Sequence, residues 1–234
     1  MNNLNNFQLN NDGNFDTKLS DNSIETTVGV SVYFRDLERK LLKHIGDADA
    51  AFGAVAWLTN DAILDALAQL SNVSIIVQKE DFLRPDIEAS KNWKNDLRKK
   101  YAGLRCNLLR YSFKNILSSM SLGGDPSIDA VRCVGNHNRD KKPAFPRMHN
   151  KFIIFAKVLP SSEEYELETI QPYAVWTGSF NFTKNATDSL ENALYITEPS
   201  IVNAFFDEYG QIAAMSEPLD WTSDWAEPEW RIGT

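Results

Sequence analysis

The chain has 234 residues, of which 43% are hydrophobic, 11% aromatic and 24% charged, and its formal net charge is −8. That length allows one large domain or two small ones, and the apolar share excludes disorder over most of it. The longest apolar run, 50–58, is nine residues, far short of the ~18 of a membrane span, and the acidic balance argues against a surface that coats nucleic acid everywhere.

Residues 1–25 hold one Lys, four acids and eight Asn with no apolar block. They read as a flexible arm, with no secretory signal, and a cytoplasmic location is expected. Residues 27–34 alternate and are β-rich, a strand. From Asp36 to Asp47 the spacing of Leu37, Leu41, Leu42 and Ile45 predicts an amphipathic helix. Ala50 to Thr59 reads as a strand buried on both faces. Asn60 reads as the N-cap of a helix carrying Ile63, Leu64, Leu67 and Leu70. Val73 to Val77 is the next strand, Ala89 to Tyr101 a helix and Leu104 to Leu109 another strand. The pattern then weakens for nearly forty residues, through Gly123, Gly124, Pro126, Pro143 and Pro146, and a loop that long is functional or disordered. His149 to Leu159, Tyr173 to Thr177 and Ala193 to Thr197 read as strands, with an acidic loop (Glu163, Glu164, Glu166, Glu168) after the first. Ile201 to Met215 reads as the last helix. Alternation of this kind predicts a layered α/β sandwich, a mostly parallel central sheet with helices on both faces.

Charge is unevenly spread along this pattern. Residues 131–151 carry Arg132, Arg139, Lys141, Lys142, Arg147 and Lys151 against Asp140 alone, whereas from Asp207 onward seven acids face only Arg231. Cys106 and Cys133, the two cysteines, can form neither a disulfide framework nor a four-ligand zinc site on their own.

Two segments can do chemistry. In His149-Asn150-Lys151, residues two apart share a strand face, so the imidazole and the ammonium point the same way about 6–7 Å apart. An imidazole serves as nucleophile or general base near neutral pH, and an adjacent ammonium holds a phosphate as a point charge. In Gly178-Ser179-Phe180-Asn181, Ser179 and Asn181 again share a face and offer neutral donors to phosphate oxygens. Glu191 could orient an imidazole through its second nitrogen. Taken singly, each segment also fits a plain reading, a structural His at a strand end and a Gly-Ser turn.

Together the two segments resemble the phospholipase D superfamily, whose pattern is H-x-K-x4-D, then G-S-x-N, then a carboxylate about a dozen residues on. His149, Lys151, Gly178, Ser179, Asn181 and Glu191 follow that order, most clearly over 145–196, and 177–184 is most similar to the small single-motif nucleases of the superfamily. The position of the usual Asp holds Ala156. The resemblance implies the superfamily's sandwich fold over 26–216, catalytic residues His149, Lys151, Ser179, Asn181 and Glu191, and no metal or other cofactor. It implies a phosphohistidine formed on one imidazole while a second protonates the leaving oxygen. His44 and His137 are not followed two residues later by Lys, so by resemblance the second histidine is His149 of a twofold-related protomer.

Within that superfamily the run Arg132, Arg139, Lys141, Lys142 and Arg147, leading into His149, favours a nucleic-acid substrate, DNA ahead of RNA, in an endonuclease. The alternatives are a phospholipid-hydrolysing enzyme, or a catalytically weakened module that binds nucleic acid. A membrane anchor and a strong basic amphipathic helix are both missing, so no stable membrane association is expected. Rival metal sites are weak: Asp86, Glu88 and Lys91 lack nuclease spacing, and His137-Asn138 with His149-Asn150 lacks a second ligand cluster. No G-x-S-x-G occurs for a serine hydrolase. The tail, 217–234, carries Trp221, Trp225 and Trp230 among acids and is expected to pack on its own domain or on a protein partner.

Overall fold

The structure, a computed structural model, describes residues 3–6, 8–11, 15–79, 91–108, 130–135, 147–159 and 169–219. After a 3₁₀ turn at Leu4–Asn6 come β1 (Gln8–Asn11), β2 (Phe15–Lys18), β3 (Val30–Tyr33), α1 (Leu37–Gly46) and β4 (Ala50–Val55). Then follow α2 (Asp61–Leu67), β5 (Asn72–Gln78), α3 (Lys91–Ala102), β6 (Val131–Val134) and β7 (Lys151–Leu159). The series closes with β8 (Thr169–Gly178), α4 (Lys184–Thr187), β9 (Ala193–Ile196), α5 (Pro199–Ala214) and β10 (Glu217–Pro218). Among the described residues no helix is long and apolar enough to cross a membrane.

One eight-stranded sheet has the order β10-β6-β5-β4-β7-β8-β9-β3, and β1 with β2 forms a separate hairpin. The layered α/β sandwich is therefore present, with one correction. The ladders β4–β5 and β5–β6 are parallel, but β6–β10, β4–β7, β7–β8, β8–β9 and β9–β3 are antiparallel. Parallel neighbours need a crossover, usually a helix, and α2 and α3 fall in the two connections that have one. Between β7 and β8 lie only residues 160–168, and between β8 and β9 the only helix is the four-residue α4, so these strands reverse. As a result β4, β5, β6 and β8 end, and β7 and β9 begin, along one rim of the sheet.

Helices cover both faces. One face packs α1, α2 and α3 through Leu37, Leu41, Ile45, Ile63, Leu64, Leu67, Leu97 and Tyr101. The other packs α5 through Val202, Phe206, Tyr209, Ile212 and Ala213, side chains that contribute roughly 1.5–3 kcal/mol each when large and fully buried. Tyr209 also donates its hydroxyl hydrogen to Ser74 Oγ at 2.6 Å, tying α5 to β5. The Asn60 cap forms as expected: its side chain accepts from the N–H groups of Ala62 and Ile63 at 2.9 and 3.2 Å. Gly53 is required in mid-β4, since a Cβ there would stand 2.8 Å from the Phe152 carbonyl oxygen.

Three expected strands differ. The first is only Val30–Tyr33, because the chain bends through 27–29 with Gly29 at φ 97. The strand expected over 50–59 stops at Val55. The strand expected over 104–109 is not one in its described part: residues 104–108 make a single antiparallel bridge, Cys106 with Asn72. The place beside β5 belongs instead to β6, from the stretch whose pattern had weakened. The acidic loop at 163–168 and the tryptophans of the tail lie outside the described residues. Near the other terminus, Leu4–Asn6 is pinned to the turn after α4. There Asn3 Nδ2 donates to Asp188 Oδ1 at 2.8 Å, and Asn5 Nδ2 to the Thr187 and Ser189 carbonyls at 3.1 and 3.0 Å.

Candidate active site

The antiparallel β4–β7 ladder positions the first motif. Val55 pairs with Lys151, and the Ala56 N–H donates to the Asn150 carbonyl at 2.8 Å, extending the pairing past the strand ends. His149 therefore stands at the rim, exposed, while Lys151 is buried. The Lys151 ammonium donates to the His149 carbonyl at 3.0 Å and lies 3.3 Å from both imidazole nitrogens. An ammonium can donate only to a ring nitrogen without a proton, so this contact favours the neutral imidazole. Burial, followed by the charges of Lys151 and Arg147, holds His149 below its ordinary value. Burial also lowers Lys151, against the opposing pull of Glu191.

The second motif reaches the same rim at the end of β8. Gly178 is set there by close approach: a Cβ would stand 2.3 Å from the Asn192 carbonyl oxygen and 2.8 Å from Ala193 Cα. With that approach open, Ser179 and Asn192 bond reciprocally. The Ser179 N–H donates to the Asn192 carbonyl, and the Asn192 N–H donates to Ser179 Oγ, each at 3.1 Å. The Ser179 hydroxyl donates in turn to the Glu191 carboxylate. Phe180 and Phe182 are 1% and 0% exposed, anchoring the loop, and between them Asn181 carries a side-chain oxygen that is buried without a partner. The Phe182 carbonyl accepts from the Thr59 and Asn60 N–H groups, both at 2.9 Å, which fastens this loop to the segment after β4.

Of the residues named from the sequence, His149, Lys151, Ser179 and Glu191 are thus linked by direct contact or charge, and Asn181 lies in the loop beside them. Glu191 is bonded to Ser179 rather than to an imidazole of its own chain. Arg147 leads into the site and acts electrostatically on His149. Arg132 does not join it: it lies across β5 and β4 from Phe152, and its guanidinium donates to Ser216 Oγ and the Ser216 carbonyl at 2.7 and 2.8 Å. Arg139, Lys141, Lys142 and His137 lie outside the described residues. His44 sits in an aromatic cluster, stacked on Tyr195 at 3.7 Å between centroids and bonded to the Tyr33 hydroxyl at 3.3 Å. Burial, with Lys43 adding, pushes it down to about 4.

Two neighbours of the site were missed by sequence reasoning. Gln78 accepts the Met148 N–H at 2.6 Å and so holds the backbone just before His149. Trp57 packs its indole against the imidazole, edge to face. Gln78 ends β5 and Trp57 follows β4, both far from His149 in sequence, and only knowledge of the β4–β7 pairing would have singled out Trp57. Among the described residues no three His, Cys, Asp or Glu side chains gather closely enough to hold a metal ion.

No family model matches the chain. The uncharacterized protein L381 of Acanthamoeba polyphaga mimivirus is 35% identical over 223 residues, covering 90% of this chain and 72% of that protein. Among solved structures, Nuc from Salmonella typhimurium, a phospholipase D family member, is similar at a TM-score of 0.48 and 18% identity, covering 80% of this chain and 95% of that one. NucT from Helicobacter pylori is similar at 0.47 and 13%, covering 80% and 96%. The chain belongs to the family of the mimivirus protein L381, and its layered α/β sheet brings His149, Lys151, Ser179 and Glu191 to one rim.

Proposed function

We propose that this protein is a metal-independent phosphodiesterase, an endonuclease that cleaves nucleic acid, DNA ahead of RNA, through a phosphohistidine in a site shared by two protomers. The observation that carries this reading is the Lys151 ammonium held within 3.3 Å of the His149 imidazole, at the rim where Ser179, Asn181 and Glu191 also gather. The neutral imidazole attacks phosphorus, a P–N bond forms, and the bond to the leaving oxygen breaks. A second imidazole, the partner protomer's copy of the same residue, protonates that oxygen and then takes a proton from the water that hydrolyses the P–N bond. Lys151 stabilises the charge that builds on the phosphoryl oxygens, and Asn181 offers a neutral donor to them. Arg147, with Arg139, Lys141 and Lys142 before it in sequence, supplies the attraction for a polyanion.

The test is purified protein with plasmid, single-stranded DNA, RNA and phospholipid, each with and without EDTA. Cleavage of nucleic acid that survives EDTA, and is absent from His149→Ala, is expected. Cleavage of phospholipid alone would move the substrate class. Nucleic-acid binding without cleavage would make the protein a binding module, and activity that EDTA kills and magnesium restores would overturn the mechanism.

A further inference from the structure

The motif chemistry gives Trp57 no part, yet the sheet delivers it to His149. Val55 pairs with Lys151 and Ala56 bonds to Asn150, so the same register sets Trp57 directly opposite His149. Side chains directly opposite in an antiparallel pair stand close enough to form a packing unit. Here the two rings meet with centroids 5.6 Å apart and planes at 83°, and the Lys151 ammonium lies 6.0 Å from the indole centroid. The backbone that carries the indole is held on both sides of Trp57. Ala56 is fixed to Asn150, Leu58 bridges Phe182, and the Thr59 N–H donates to the Phe182 carbonyl at 2.9 Å. Trp57 is thus half-buried on an anchored backbone, whereas His149 is exposed and needs a neighbour to restrict its ring.

We propose that Trp57 is a positioning residue, whose indole fixes the plane of the His149 imidazole and shields one side of it from water, keeping the ring aimed at phosphorus. Its catalytic consequence rests on the phosphodiesterase reading above; its effect on the ring's orientation and titration does not. Among the described residues, the charged groups that bear on the imidazole are Lys151 on β7 and Arg147 in the segment leading into it, with Glu191 acting through Lys151. Burial and both cations favour the neutral ring, and the indole supplies part of that burial.

Trp57→Ala and Trp57→Phe separate this role from others, with thermal melts to show that each variant folds. The first measurement is an NMR titration of the His149 side chain, its signal assigned by loss in His149→Gln. The wild-type ring is expected to titrate below the ordinary 6.5, Trp57→Ala to move back toward that value, and Trp57→Phe to stay near wild type. The second is kcat and KM on bis(4-nitrophenyl) phosphate and on a single-stranded oligonucleotide. Trp57→Ala is expected to lose about 10- to 100-fold in kcat on both, the scale of a misplaced reacting group, with KM little changed, while Trp57→Phe stays within a few-fold. An unchanged titration in Trp57→Ala would overturn the proposal. So would a KM that rises for the oligonucleotide alone at constant kcat, which would make Trp57 a surface for stacking bases. If the wild-type protein cleaves neither substrate, the phosphodiesterase reading fails and the titration still decides the role of Trp57.

Discussion

His149 is exposed and Lys151 buried, so losing either should affect catalysis and the fold differently. His149→Ala should leave the thermal melt unchanged and reduce phosphodiester cleavage by 10³-fold or more, roughly the cost of removing a nucleophile. Lys151→Ala should cost about 10²–10³-fold through lost charge stabilisation and lower the melt slightly, and Arg should not rescue it, because a planar fork does not replace a point charge. Activity of His149→Ala within a few-fold of wild type would refute the mechanism. One imidazole must be neutral to attack and its partner protonated to serve the leaving oxygen, so kcat/KM should trace a bell centred below 6.5, the direction in which burial and the two cations move the group. His44 bears on stability instead. Its folded value of about 4 lies below the ordinary 6.5, so the unfolded chain takes up its proton first as pH falls. Stability from this group is complete above about pH 6.5 and is lost as pH falls to about 4, a swing of about 3 kcal/mol at most. Urea titrations of His44→Gln should show that acid limb flattened. At this scale the sequence was legible wherever the neighbours were local. A period of two already put His149 with Lys151, whereas Trp57 and Gln78 reach the site through pairings between segments distant in sequence.

β7 carries the departure from the superfamily pattern. Ala156 is fully buried, opposite Ala50 on one side and Pro172 on the other, where the β7–β8 register shifts. It lies five residues down the strand from Lys151, about 16 Å at 3.3 Å per residue, too far to touch a phosphate held at the rim. An Asp here would bring a carboxylate among Phe52, Ile154 and Val175 of the apolar core. Ala156→Asp should therefore destabilise by about 3–5 kcal/mol, the cost of an unpaired buried charge, and should not raise turnover. A gain in turnover with the melt preserved would mean that the natural chain is a weakened enzyme. The elements the sequence hid share a physical cause. Leu104, Cys106 and Leu108 alternate as a strand would, and Leu104 and Leu108 are buried. Yet on its edge away from β4, β5 pairs from Ile75 onward with β6, a four-residue strand too short to announce itself by period. Ladder direction was hidden for a related reason, since strand propensity says nothing about which way a neighbour runs.

At the scale of the whole molecule the proposed twofold site makes a quantitative claim. A single imidazole cannot attack phosphorus and also protonate the leaving oxygen in line on the opposite side. If the two protomers share one site, wild-type chains mixed with excess His149→Ala chains should lose most of their activity per wild-type chain as heterodimers form, whereas independent sites would keep all of it. Light scattering that finds a fully active monomer would sink the shared site and turn attention to His137. The rim that gathers the motifs has one more effect. Residues 136–146, with Arg139, Lys141 and Lys142, connect the rim end of β6 to Arg147 and His149. Residues 160–168, with four Glu, connect β7 and β8 at the opposite edge of the sheet. Along the chain, the strand ends at the rim are thus flanked by cations and the opposite ends by glutamates. If the substrate is the polyanion proposed above, such a separation would turn the approaching protein as well as attract it, even though its total charge of −8 is repelled.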